Sequence, residues 1–175
     1  MAEVDGKDWT WVLQRPCPQC GFEAEELHRE DIGTRVLLAA KALRDAALAP
    51  TARERPSPQV WSPLEYVCHT RDACQVFDER LLLMLSQDEP EFANWDQDEA
   101  AAAGDYPSQD PTVVSAQLWD QAAVIATRFN GVDGDDWERT GTRSNGSEFT
   151  VVTLGQYFAH DLAHHVWDLT GIPQV

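Results

Sequence analysis

The sequence predicts an all-α fold, a four-helix bundle with an irregular N-terminal leader and long loops. Four stretches carry apolar residues at helical spacing. Start and stop signals bracket the clearest of them. The 175 residues, 43% hydrophobic and 25% charged, suit one domain with a sizeable core. We read residues 1–24 as the leader and 25–171 as the bundle, within a single domain spanning 1–175.

The first helix is expected over Glu25–Leu48, where Ile32, Val36, Leu43 and Ala47 recur at near-helical spacing. Prolines 50, 56 and 58 make the next stretch a loop. The second helix opens on Ser62-Pro63-Leu64-Glu65, a capping box with proline at the first helical position, and runs to about Ser86. Residues 88–111 read as a long acidic loop carrying Trp95 and Tyr106, a length typical of lids and binding loops. The third helix is expected over Pro111–Phe129. Asn130–Gly146 reads as turns with room for two short strands. The fourth helix is expected over Thr150–Thr170, stopped by Gly171 and Pro173.

The formal net charge is −17, from 30 acidic and 13 basic residues. Such a surface repels nucleic acid and anionic membranes, which bind proteins through lysine and arginine. The expected partner is therefore a small-molecule substrate, with no nucleic acid and no membrane. The polar start, Met1 to Asp8, has no apolar signal-peptide core. No run approaches the roughly 18 apolar residues of a membrane span. We expect a cytoplasmic protein whose four cysteines stay reduced and serve metal binding, redox chemistry or packing.

His160 and His164 lie four residues apart on the last helix, which separates them by roughly 40° around the axis. One metal ion can be reached from both, although packed polar histidines also occur at this spacing. His165 lies roughly 140° from His160, on the stripe of Leu154, Phe158, Leu162 and Leu169. It reads as a packed or interface histidine, not a ligand. His69 by itself reads as a satisfied polar residue near the start of the second helix, and His28 as surface. Glu65 reads foremost as the helix cap, with a partnership to His69 as the alternative. Cys17 and Cys20 form a Cys-Pro-Gln-Cys turn, which reads as packing, half of a metal site or a redox dithiol, with His28, Cys68 and Cys74 as spare metal donors. Cys68 and Cys74 read as core thiols.

Trp61-Ser62-Pro63 followed by Tyr66-Val67-Cys68-His69, and His160-Asp161-Leu162-Ala163-His164-His165 on the last helix, resemble the DinB-like family, of DinB and YfiT type. The segment from Glu89-Pro90 to Trp95-Asp96, with Tyr106, looks like this family too. The resemblance runs from about residue 29 to 171. It implies a four-helix bundle with a divalent metal held by His69, His160 and His164. Zinc suits three imidazoles best, and nickel, iron or manganese would be accepted. The family is similar to thiol-dependent S-transferases and maleylpyruvate-isomerase-like enzymes. The resemblance thus implies a low-molecular-weight thiol, of mycothiol or bacillithiol type, transferred to an electrophilic small molecule. Some of the resembled isomerases carry glutamate where His160 stands, and the His-x-x-x-His pattern here follows the broader family instead. A noncatalytic metal-binding protein, closed by a fourth ligand such as Glu65 or Asp168, and a metal-dependent hydrolase are the alternatives. The apolar stripe of the last helix leaves a homodimer open.

Overall fold

The computed structural model describes residues 9–173; the polar start, Met1 to Asp8, lies outside the described residues. Helix α1 spans Ile32–Ala47 and α2 spans Pro63–Ser86. Strand β1 is Glu91–Phe92, followed by the short helix α3, Gln97–Ala103. Helix α4 spans Pro111–Asn130, and strands β2, Thr140–Arg143, and β3, Glu148–Thr150, lead into α5, Val151–Thr170. The long helices α1, α2, α4 and α5 form the expected four-helix bundle. None of the described helices is long and apolar enough to cross a membrane.

Local chemistry accounts for the helix ends. Ser62 accepts from the Glu65 amide at 3.3 Å, and the Ser62 amide donates to Glu65 Oε2 at 2.9 Å. The capping box is complete, with Pro63 in the first turn. Asp110 caps α4 ahead of Pro111, and Thr150 with Thr153 caps α5. Gly171 ends α5 at φ 67°, a left-handed conformation that glycine adopts without steric penalty.

The first helix begins later than its periodicity predicts. Two 3-10 turns, Ala24–Glu26 and Arg29–Asp31, precede α1, with Leu27 and His28 extended between them. The Gln156 side chain of α5 donates to the carbonyls of Ala24 and Leu27, at 2.8 and 3.0 Å. Those carbonyls would otherwise serve a continuing helix.

Ile32 and Leu43 of α1, Leu64 and Leu81 of α2, Leu118 and Ile125 of α4, and Leu154, Phe158 and Leu162 of α5 fill the interior. Leu154, Phe158 and Leu162 of the last helix's apolar stripe are therefore spent inside the bundle. At Gly33 a Cβ would stand 2.8 Å from the Ala126 carbonyl oxygen, so α1 and α4 approach closely only with glycine there.

The segment 88–111 is more ordered than a loop. Strand β1 pairs in parallel with β2, and β2 pairs antiparallel with β3, giving sheet order β1-β2-β3. Tyr106 is fully buried, and its hydroxyl donates to Asp72 Oδ2 at 2.5 Å. It anchors the segment to α2, and only Trp95 reaches the histidines.

Glu65 is buried and held by Arg55, whose Nε donates to Oε2 at 2.8 Å, and by the Ser62 hydroxyl at 2.8 Å. Burial alone would raise the Glu65 pKa. The Arg55 and Ser62 hydrogen bonds outweigh it and hold the carboxyl below its ordinary 4.5. The stabilisation from the carboxylate is thus complete above pH 4.5 and is lost as the pH falls through the lower folded-state value. In urea denaturation, the gap between wild type and Glu65→Gln should be largest near neutrality and close in strong acid. Ser62→Ala should cost about 1 kcal/mol at neutral pH, read as a lower denaturation midpoint.

Candidate metal centres

Helix α5 carries His160, Asp161, His164 and His165, and its neighbours divide them into two groups. Asp161 and His165 are one turn apart and continue the stripe that faces the bundle interior. His160 and His164 are rotated from it by about 100° and face the leader.

On the inner face, His69 of α2 meets Asp161 and His165 of α5, and one donor atom from each lies within 4.8 Å of the others. His69 Nε2 stands 3.7 Å from Asp161 Oδ2, and His165 Nε2 stands 3.6 Å from Asp161 Oδ1. Both are too long for hydrogen bonds. Ligands around one divalent ion at roughly 2.0–2.2 Å are separated by about 3–3.5 Å, so a small closure suffices. His69 Nδ1 and Nε2 and His165 Nε2 are buried with no hydrogen-bond partner. A buried polar atom left unpaired costs about 1–3 kcal/mol. The donor set of two imidazoles and a carboxylate therefore fits a divalent cation on both chemistry and need.

Asp168 orients this group. His165 Nδ1 donates to Asp168 Oδ2 at 3.0 Å, which turns Nε2 toward Asp161 and His69. Burial would lower the His165 pKa, but Asp161 and Asp168 outweigh it and raise the value. Burial would raise that of Asp161, but His165, His69 and His160 outweigh it and hold the carboxylate ionised. Burial lowers the His69 pKa and keeps its ring neutral, as ligation requires.

Aromatic side chains wall the group. Trp95 stacks on His69 at 5.2 Å between ring centroids, Trp61 lies at 5.3 Å from it, and Tyr66 lies 5.1 Å from His165. Trp61, Tyr66 and Asp168 also line a cleft of about 300 Å³, with Arg55 at its edge. A second cleft, by Gln87 and Arg139 at the far end of α2, is remote from this chemistry. Glu65 is engaged by Arg55 and Ser62, and Asp168 by the outer nitrogen of His165. Neither closes the group as a fourth ligand.

On the outer face, Cys17, Cys20, His160 and His164 have donor atoms all within 4.8 Å of one another. Cys17, Cys20 and His160 are buried. Burial and the neighbouring Cys17 push the Cys20 thiol up to about 12, against a smaller opposing effect of the Phe22 backbone. Burial also raises the Cys68 thiol to about 12 and that of Cys74 further, in keeping with core packing. His160 is lowered to about 4 by burial.

The expected trio of His69, His160 and His164 is thus divided. The interior stripe of α5 is the one that reaches α2, so His69 meets His165 and Asp161, while His160 and His164 meet the cysteine turn. His165 meets Tyr66 and His69 of α2 and Asp161 and Asp168 of its own helix. A sequence signal for this arrangement existed: Asp161 and His165 have the same four-residue spacing as His160 and His164 and lie on the core-facing stripe.

The bundle with donors from its second and last long helices defines the class. The chain matches the family profile described as the DinB superfamily over residues 28–169, and it belongs to that superfamily. It is similar to a solved structure, YfiT from Bacillus subtilis, at 17% identity and a TM-score of 0.73, over 90% of each chain. That protein is described as a probable metal-dependent hydrolase with an unusual four-helix bundle topology. Among curated proteins none matches this chain significantly.

His69 and His165 meet edge to face, with ring centroids 4.8 Å apart. In imidazole NMR spectra, His69→Ala should therefore shift the His165 resonances and leave those of His160 in place. A shift of His160 with His165 unmoved would restore the grouping expected from the sequence.

Proposed function

We propose that this chain is a divalent-metal-dependent enzyme that transfers a low-molecular-weight thiol to an electrophilic small molecule, its ion held by His69, Asp161 and His165. The observation that carries this reading is the buried, unpaired set of ring nitrogens aimed at one carboxylate beside an aromatic-walled cleft. Three protein donors leave coordination positions for a nucleophile, as catalytic sites do and closed structural sites do not. A divalent ion there supplies a Lewis acid that lowers the pKa of a thiol or of water and so furnishes an anionic nucleophile at neutral pH.

The chain's own residues supply the rest. Asp168 holds the His165 ring in the orientation that presents Nε2. Trp95 and Trp61 pack on His69 and shield that side from water. The cleft by Tyr66 and Trp61 takes the electrophile. In the transfer the thiol proton passes to solvent, a carbon–sulfur bond forms, and the leaving group departs with its bonding pair.

Zinc suits the donor set, and nickel, iron or manganese would be accepted by it. The hydrolytic reading has its own support in the description of YfiT, with water in place of the thiol.

The test incubates metal-loaded protein with mycothiol, bacillithiol or glutathione and a haloarene. Conjugate should form above the uncatalysed rate and disappear in His69→Ala, Asp161→Ala and His165→Ala, each of which should also lose bound metal. Asp168→Asn should cost about 10–100-fold in metal affinity or activity, because it orients a ligand. Turnover of ester or amide substrates without any thiol would select hydrolysis. Tight metal binding with neither activity across a broad panel would select a binding protein.

A further inference from the structure

We propose that Cys17, Cys20, His160 and His164 form a second, structural zinc site that staples the leader onto α5. The donor set, two sulfurs and two imidazoles, is one that tetrahedral zinc takes in closed structural sites. It assembles from two rigid halves far apart in sequence. The Cys-Pro-Gln-Cys turn closes on itself through Gly21 N–H to the Cys17 carbonyl and Cys17 N–H to the Phe22 carbonyl, both at 2.9 Å, with Gly21 at φ 75°. That turn brings both sulfurs to one side. His160 and His164 sit one helical turn apart on the facing helix.

The distances agree with a single ion. Zinc–sulfur bonds near 2.3 Å and zinc–nitrogen bonds near 2.0–2.1 Å, at a tetrahedral angle, separate sulfur from nitrogen by about 3.6 Å. Cys17 Sγ lies 3.6 Å from His164 Nδ1. His160 Nε2 is buried without a hydrogen-bond partner. The surroundings close the site. Trp9 packs on His160 and His164, at 6.0 and 5.4 Å between ring centroids, and Phe22 meets His160 at 5.5 Å.

Between Trp9 and Asp31 the leader has only short 3-10 turns. Buried Val12, Phe22 and Leu27 and the two Gln156 hydrogen bonds hold it against the bundle, and the ion shared with α5 adds a cross-link at the cysteine turn. The same ion reinforces the rotation of α5 that core packing sets, and with it the aim of Asp161 and His165 on the next face. Asp168 joins the two groups, with Oδ2 on His165 Nδ1 at 3.0 Å and Oδ1 facing His164 Nε2 at 3.8 Å.

The test uses the full chain, prepared reduced and loaded with zinc or cobalt(II). Cobalt should give a sulfur-to-metal charge-transfer band, which His69, Asp161 and His165 cannot produce. Cys17→Ser/Cys20→Ser should lose the band and one bound metal ion. His69→Ala/His165→Ala should keep the band while losing the other ion, so failure of this site and of the enzymatic centre are told apart. Wild-type protein gives a second readout if the cysteine variant does not fold. Zinc should slow the reaction of Cys17 and Cys20 with a thiol reagent, and a chelator should restore it. Absence of the charge-transfer band, or equal thiol reactivity with and without zinc, overturns the proposal.

Discussion

Helix α5 places two pairs of donor residues one position out of step, and most of the functional architecture depends on that offset. His160 pairs with His164 and Asp161 with His165, each across one turn, and the two pairs diverge by about 100° around the axis. A straight helix cannot aim both at the same point. One pair faces α2, and the other faces the leader. Any rotation of α5 that improved one group would spoil the other. The packing that sets this rotation, Leu154, Phe158 and Leu162 in the core and Gln156 on the leader carbonyls, therefore bears on both.

Burial gives these groups their chemical character. The chain carries a net charge of −17, yet the imidazoles of His69, His160 and His164 are held neutral because desolvation penalises their charged forms. His165 is the exception, since two carboxylates flank it. Asp161 stays ionised among the imidazoles although it is partly withdrawn from water. A neutral ring on one side and a carboxylate on the other form a donor set that suits a divalent cation. The aromatic rings around it keep the dielectric low, which strengthens its attraction for the cation.

Membership of the DinB superfamily rests on the match over residues 28–169, and the likeness to YfiT shows the shared bundle. The leader largely precedes the matched region. The cysteine turn lies ahead of that region, and it lands on the helix that carries half of the inner donor group.

The four long helices were legible in the sequence because their signals are local. Ser62-Pro63-Leu64-Glu65, the apolar spacing of α5 and its Gly171 stop each act within a few residues. The angular positions of the α5 histidines were legible for the same reason. Short helix α3 escaped because seven residues carry little periodicity, and strand β1 because its two residues gain meaning only beside β2. The late start of α1 leaves the Ala24 and Leu27 carbonyls to Gln156, more than a hundred residues away. By itself the sequence determined which residues share a face of each helix, since the backbone period dictates that. Only the tertiary structure decided which face meets which neighbour: His69 with Asp161 and His165, and the cysteine turn with His160 and His164. Those meetings are made by packing between distant segments, for which a local pattern carries no distance.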